Sequence, residues 1–397
     1  GYREKDIIDY NTKSFKANAA IHYRINEKIE AIGQVNYGYG TTAYTATGRY
    51  SLRNFNLTQV KLELRADNFT VRAYTTQERS GQSYMAGLTA VSMLNDYKPH
   101  ATWFGQYVGA FATARAGGMS EEQAHLTARP VADQGIPMPG TDAYNQLLDK
   151  YRNMPIVNGG GGFTDRTNLY HAEGFYNFKN QIKVIELIAG VNLRQYKLKS
   201  GGTLFADMKD GRTGSIAINE YGAFVQAGKN LLSNHLKLSA SLRYDKNENF
   251  DGQFTPRISA VTTFGDHNIR LSYQTGFRIP TTQNQYIDLL TPAGTLVGGL
   301  PEFNTRYNLT NGILRQNLET ENITNVIKQD PSVVQAATAY ATAAVTQAVT
   351  QSVTASVNAA VAAGQIPNDP AAIQAAINAG VQTHLPGALQ AQLPGLI

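Results

Sequence analysis

The sequence predicts an all-β fold, an antiparallel transmembrane β-barrel with helical insertions in its long extracellular loops. Three observations point there. Apolar and polar residues alternate through strand after strand, tyrosines recur near strand ends, and tight turns are mixed with two very long connections. The 397 residues exceed one ordinary soluble core and suit one large barrel or several small domains. Charged residues make up only 16% of the chain, low for a water-exposed surface. No apolar run reaches about 18 residues, so no transmembrane helix is expected. Cysteine is absent, which excludes disulfides and thiolate metal sites. The net charge of +5 is not gathered on a basic face, which argues against a nucleic-acid partner. The opening Gly1-Tyr2-Arg3-Glu4-Lys5 has no signal-peptide character.

The strands follow in order. Phe15, Ala17, Ala19, Ile21, Tyr23 and Ile25 alternate with Lys16, Asn18, Ala20, His22 and Arg24. Val60, Leu62, Leu64 and Ala66 alternate with Lys61, Glu63 and Arg65, and Leu236 to Tyr244 repeats the pattern against Lys237, Ser239, Ser241 and Arg243. Ile269, Leu271, Tyr273, Thr275 and Phe277 form a further run, and more strands are expected near 27–40, 43–55, 69–78, 166–179, 182–198, 216–230 and 254–264. A soluble sandwich also alternates. Lipid is favoured because the runs reach the ~9–11 residues that cross a bilayer at a tilt. Tyr37, Tyr39, Tyr176, Tyr196 and Tyr244 lie near strand ends, as an interfacial girdle requires, and the polar positions carry charges that a water-filled lumen tolerates.

Asn26-Glu27, Asp67-Asn68 and Gly265-Asp266 are tight-turn signals, whereas roughly 80–165 and 280 to the end are long connections. Within them, Ser120-Glu121-Glu122-Gln123 is a capping box that opens a helix. The stretch 331–363 has valines at 345, 349, 353, 357 and 361, a stripe on a helix that Pro331 opens and Gly364 follows. Asn368-Asp369-Pro370 starts a second helix, with Ile373, Ile377 and Val381 on one face. This Ala-rich hairpin reads as a packing insert rather than a ligand-gating lid, because it lacks aromatic anchors.

Leu242-Arg243-Tyr244-Asp245, followed by Phe250-Asp251-Gly252-Gln253-Phe254-Thr255-Pro256-Arg257-Ile258, resembles a barrel segment of TonB-dependent receptors. Phe277-Arg278-Ile279-Pro280-Thr281 resembles the family's Phe-Arg-Xaa-Pro-Ser/Thr signature, and Gln283 to Leu289 is similar to the form found in Bacteroidota. Gly1 to Asp9 and Arg49 to Arg79 also resemble early barrel strands of that group, so the likeness spans roughly 1–290. It implies an outer-membrane location in a Gram-negative cell. It implies active uptake of a siderophore, cobalamin, glycan or peptide through a 22-stranded barrel. In the family an N-terminal plug closes the barrel, the TonB energy-coupling complex pulls on a short box before the plug, and a surface lipoprotein can be a further partner.

The sequence departs from that pattern. No plug-like glycine-rich stretch or coupling box precedes the first strand, about eleven strands are expected instead of 22, and Pro394-Gly395-Leu396-Ile397 does not end a strand on an aromatic residue. The expectation is a partial barrel over 1–290 and an extracellular loop with the helical hairpin over 291–397. This fragment would end inside a loop and be unable to transport alone.

Enzyme, cofactor and metal chemistry find no motif. His22, His100, His125, His171, His235, His267 and His384 lack metal-site spacing. Gly159-Gly160-Gly161-Gly162 lacks a following Gly-Lys-Ser/Thr and reads as a flexible loop, and Gly81-Gln82-Ser83-Tyr84-Met85 misses the nucleophile elbow by its last residue. Trp103, Phe104 and Tyr107 are the candidate ligand contacts, since aromatics stack on sugars and heterocycles, although packing of the loop's own core explains them as well. Arg243, Arg257 and Arg278 are expected to face the lumen or plug, where they serve barrel–plug electrostatics rather than substrate contact. Pro256 fits a strand start, and Pro280 a strand end. Three classes remain open: an active-transport receptor, a passive porin-like channel that needs no plug, and a surface adhesin that uses the helical hairpin.

Overall fold

The computed structural model describes residues 1–292, 294–312 and 331–396. Residues 313–330 of the expected loop and the terminal Ile397 lie outside the described residues. The chain divides into two compact units, one of residues 2–92 and 145–310, the other of Gly1, 93–144 and 311–397.

The first unit is built on one antiparallel sheet. Its long strands are β1 (Lys13–Asn26), β2 (Ile29–Thr45), β3 (Arg49–Ala66) and β4 (Phe69–Arg79), joined by the short β5 (Ser83–Met85) and β6 (Gly162–Phe163). Then follow β7 (Asn168–Asn177), β8 (Glu186–Leu198), β9 (Ile216–Leu231), β10 (Leu236–Asn247), β11 (Phe250–Phe264) and β12 (His267–Gln274). The order is β1-β2-β3-β4-β7-β8-β9-β10-β11-β12, an up-and-down meander with β5 and β6 set on the end of β3. Among the described residues β1 and β12 do not pair, so the barrel is partial. Two strands expected near 43–55 and 60–66 are one continuous β3, which pairs with β2 along its length, with one irregularity between Gly40 and Thr42. The last strand stops at Gln274 and does not run to Phe277.

Cross-strand register gives the sheet two unlike faces, because residues directly opposite each other project to the same side. One apolar row runs Ile21–Gly33–Leu62–Ala73–Ala172–Leu193–Tyr221. Its large side chains are open: Ile21 is 77% exposed, Leu62 66% and Leu193 61%. Aromatic residues flank this middle band on the same face. Phe15, Tyr37, Tyr39, Tyr170, Tyr244, Phe254 and Tyr273 lie toward one rim, and Tyr23, Phe69, Tyr176 and Phe264 toward the other. On β1, Phe15 and Tyr23 stand roughly 27 Å apart at ~3.4 Å per residue. Tyr196, expected in this girdle, faces the opposite side. It lies two residues beyond Arg194, and a period of two puts both on one face.

The two rims also differ. At one, the turns 27–28, 67–68 and 265–266 are minimal. At the other, long connections fold into a water-type core. The segment 199–215 docks on the residues after β12: Ala206 N donates to Tyr286 O at 3.1 Å and Asp288 N to Leu204 O at 2.9 Å. A helix Thr282–Tyr286, a hairpin β13 (Asp288–Thr291) and β14 (Gly294–Val297), and a helix Pro301–Arg306 complete it. Leu198, Phe205, Ile216, Ile218, Tyr286 and Phe303 form its buried centre. Asp207, fully buried, accepts from Ser200 N (2.6 Å), Ser200 Oγ (2.7 Å), Gly201 N (2.9 Å) and Gly202 N (2.8 Å), which fixes the turn after β8. Within the Gly159–Gly162 run, Gly159 is open but Gly160, Gly161 and Gly162 are buried and packed. A Cβ on Gly161 would stand 2.0 Å from Thr89 Oγ1 and 2.8 Å from Met85 O, so glycine is required for the backbone to pass there.

The second unit is helical. The Ser120 capping box forms as the sequence predicts, with Gln123 N donating to Ser120 Oγ at 3.3 Å and Ser120 N to Gln123 Oε1 at 3.1 Å. The helix it opens, Glu121–Asp133, packs on the helix His100–Ala116 through Ala124, Ala128 and Ala132, all fully buried. Two long helices follow, Pro331–Ala362 and Pro370–Leu396. Asp369 caps the second by accepting from Ala372 N at 2.9 Å. The helices cross closely at Gly380, where a Cβ would lie 2.6 Å from Val353 Cγ1. None of the described helices is long and apolar enough to cross a membrane, which says nothing of crossing by strands.

Candidate functional site

The polar face of the sheet is a continuous charged surface. Arg65 Nη2 donates to Glu30 Oε2 at 2.6 Å, and His22 Nδ1 lies 3.0 Å from Glu30 Oε1. Further along, Arg72 pairs with Glu173. Glu173 Oε2 is 3.2 Å from His171 Nε2, and Arg194 Nε donates to His171 Nδ1 at 3.2 Å. Arg194 Nη1 reaches Glu220 at 3.0 Å, and Asn247 Nδ2 donates to the other oxygen of Glu220 at 2.8 Å. Because Arg194 can only donate, the Nδ1 it meets must accept, so the neutral His171 ring carries its proton on Nε2 and donates to Glu173. Tyr74 stacks on that ring at 4.7 Å. Register builds this ladder: Arg72, Glu173, His171, Arg194 and Glu220 come from four strands, β4, β7, β8 and β9, and none is adjacent in sequence.

The three arginines singled out by sequence behave differently. Arg243 forms a two-pronged pair with Asp245, both bonds 2.6 Å. Arg278 lies beyond the end of β12, and its segment crosses to the polar face. There Arg278 and Arg243 line one cavity of about 580 Å³ with Arg194, Glu220, Asp245 and Gln285. Arg257 sits on the same face, opposite Ser241 and Gln274, and does not line that cavity. Arg194, Glu220 and His171 were missed by sequence reasoning. Their signal was present in the alternation of 168–177, 186–198 and 216–231, which marks them as inward-facing.

Trp103, Phe104 and Tyr107 belong to the helical unit. Trp103 Nε1 donates to Asp133 Oδ1 at 2.8 Å, Arg129 lies over its ring at 5.3 Å, and Tyr107 stacks on it at 5.2 Å. Tyr107 OH is 2.8 Å from His125 Nδ1. These contacts join the two helices. Burial alone would raise the Asp133 carboxyl, but the hydrogen bonds and charge of Arg129 and the Trp103 N–H outweigh it and hold the group below its ordinary range. Phe104 meets the Trp103 ring edge-on at 5.2 Å but is the most open of the three, 60% exposed.

A sheet with one apolar, aromatic-belted face, one charged face, and long connections at a single rim defines an outer-membrane β-barrel protein. The family model described as "TonB dependent receptor-like, beta-barrel" matches residues 2–326, and the chain belongs to that family. Members are outer-membrane transporters of Gram-negative bacteria and not enzymes, so this chain is an outer-membrane protein. Among solved structures, a mutant of the ferric enterobactin receptor PfeA from Pseudomonas aeruginosa is 11% identical at a TM-score of 0.40, covering 69% of this chain and 34% of that one. The siderophore receptor PirA from Pseudomonas aeruginosa is 9% identical at 0.38, covering 69% and 36%. The FrpB iron transporter from Neisseria meningitidis (F5-1 variant, apoprotein form) is 11% identical at 0.40, covering 68% and 36%. The chain thus spans about a third of the length of these structures. No curated protein matches it.

Proposed function

We propose that the chain is the barrel part of a receptor, of the type found in Bacteroidota, that takes up a scarce nutrient (a siderophore, cobalamin, glycan or peptide). The TonB energy-coupling complex would drive uptake through a plug that is not among these 397 residues. The opposition of the two sheet faces carries this reading. The apolar face with its two aromatic belts suits lipid, and the Arg72–Glu173–His171–Arg194–Glu220 ladder suits a wet lumen or the polar surface of a plug. By the same rule the rim with long connections is extracellular. Arg243 and Arg278 serve the lumen or plug, and Phe104 is the aromatic side chain best placed to meet a ligand. A surface lipoprotein is a fitting partner at that rim.

The test is uptake in the complete receptor. Deleting its gene should abolish growth on one nutrient of a panel offered at scarce concentration, and collapsing the proton-motive force should do the same. Uptake that survives that collapse and rises linearly with concentration would instead identify a passive channel. The 397 residues alone, reconstituted in liposomes, should give no ligand-specific uptake, because an unpaired sheet edge is not viable in lipid.

A further inference from the structure

A second cavity, of about 390 Å³, opens at the rim with long connections and shares only Thr282 with the arginine-lined one. Aromatic rings form part of its wall, beside aliphatic and polar side chains. Tyr44 and Tyr50 stack at 5.1 Å, Phe163 meets the Tyr50 ring edge-on at 5.8 Å, and Phe205 also lines the space. Two carboxylates, Glu78 and Asp165, face the same space, and no lysine, arginine or histidine lines it. Among the described residues the Glu78 carboxylate makes no hydrogen bond or ion pair. Asp165 receives Thr167 N at 2.9 Å and Thr167 Oγ1 at 2.5 Å on one oxygen, which leaves Oδ2 available. Arg79, next in sequence to Glu78, turns its guanidinium to the carbonyl of Glu78 and to Asn168 Oδ1.

We propose that this cavity binds a small organic cation, an amine or quaternary ammonium group held between the tyrosine and phenylalanine rings and the carboxylates of Glu78 and Asp165. Ring faces attract a cation through their quadrupole, and the attraction grows when water is excluded. The half-buried Glu78 and the buried Asp165 face the cavity with only the Arg79 guanidinium, which does not line it, to offset their charge, and a bound cation would lower the cost of holding both there. Burial holds the Asp165 carboxyl above its ordinary range, and burial together with the charge of Asp165 pushes Glu78 up to about 7; a cation bound between them would favour the charged forms of both. The volume suits a ligand of a few to a dozen heavy atoms. The inference stands apart from the uptake reading, since it rests on a different cavity and on equilibrium binding.

The experiment uses the complete receptor, in which the sheet edges are paired, folded in lipid nanodiscs, with choline and its neutral carbon isostere 3,3-dimethylbutan-1-ol as probes. Calorimetry should show saturable choline binding and at least about tenfold weaker binding of the isostere. Glu78→Gln should weaken choline about tenfold and leave the isostere unchanged. In wild-type protein, which needs no variant to fold, the choline methyl protons should shift upfield from the ring currents. Equal binding of both probes, no saturable choline binding, unshifted methyl signals, or a Glu78→Gln protein that binds choline normally would each overturn the proposal. None of these results bears on nutrient uptake by the complete receptor, so the two readings fail separately.

Discussion

Strand β8 passes through two different solvents. At its rim end Leu198 is fully buried among Phe205, Ile216, Ile218 and Phe303, while five residues earlier Leu193 is 61% exposed on the apolar face. The rim is held as a soluble domain is, by close packing and by ion pairs that tie segments distant in sequence. The sheet is held by its hydrogen-bonded ladder, and its large apolar side chains point outward because lipid surrounds them. A hydrophobic residue in the same strand therefore stabilises the protein by two different routes.

The largest expected effect breaks the rim alone. Asp207→Ala leaves four donors of one turn without their acceptor and should cost about 3–5 kcal/mol, read as loss of hydrogen-exchange protection over 199–215 and 282–307 with the sheet still protected. If protection falls equally in the sheet, rim and sheet are one cooperative structure and are not held in two different ways. Next comes a matched pair in β8. Leu198→Ala should cost about 2–5 kcal/mol because a cavity remains. Leu193→Ala should cost only the transfer contribution, about 1–2 kcal/mol, since lipid closes over the missing atoms. Leu193→Arg, which places a charge in that band, should cost about 2–4 kcal/mol. Urea unfolding of the complete receptor from bilayers measures all three, and equal costs for the two alanine variants would remove the distinction.

A smaller effect separates the aromatic residues of the helical unit. Trp103→Ala should lower the stability of the 100–133 helices by about 2 kcal/mol, because Asp133 and Arg129 lose their partner, whereas Phe104→Ala, which removes only an edge-on contact of an exposed ring, should cost about 1 kcal/mol or less. Ligand affinity that falls only with Phe104→Ala in the complete receptor would mark that ring as the contact; unchanged affinity would remove it.

The smallest expected effect is on the pH response of the rim. Arg212 holds Glu302 through bonds of 2.9 and 2.6 Å, and Arg306 reaches Asp210, Glu302 and the buried Asp288, the last at 3.2 Å. The hydrogen bond from Arg306 holds Asp210 below its ordinary range. For Glu302 burial works in the opposite sense but is outweighed by Arg212 and Arg306. A depressed carboxylate contributes stability above its unfolded pKa, and that contribution is lost as pH falls through the folded value. Tyr307 shows the converse. Burial and its bond to Asp288 push it up to about 12, so its contribution is complete below pH 10 and lost between 10 and about 12. Rim protection should thus decline below pH ~4 and again above pH 10, while that of β1 to β4 stays level; a parallel decline in both would tie the sheet to the same titrations.

Much of this was legible in the chain. The alternation of Leu236 to Tyr244 needs only period two, and the Ser120 box needs only four residues of local chemistry. Both appear as expected. The join of 43–55 to 60–66 into one strand was not legible, because Asn54 to Gln59 weaken the alternation while β2 pairs across them. The glycines at 159–162 signalled freedom, yet Gly161 is needed where the backbone passes Thr89 and Met85, some 70 residues away in sequence. The arginine-lined cavity was half legible. Arg243 and Arg278 stood in recognisable runs, but Arg194 and Glu220 join them only through the pairing of β8 with β9.

By itself the sequence determined that these strands are amphipathic, where the capped helices begin, and to which family the motifs belong, because each depends on spacing along the chain. Only the tertiary structure decided that Tyr196 turns inward, that 199–215 and 282–307 fold into one rim core, and that Glu78 and Asp165 face an aromatic cavity. Those outcomes follow from strand register and loop docking, which place residues far apart in sequence within a few ångströms of each other.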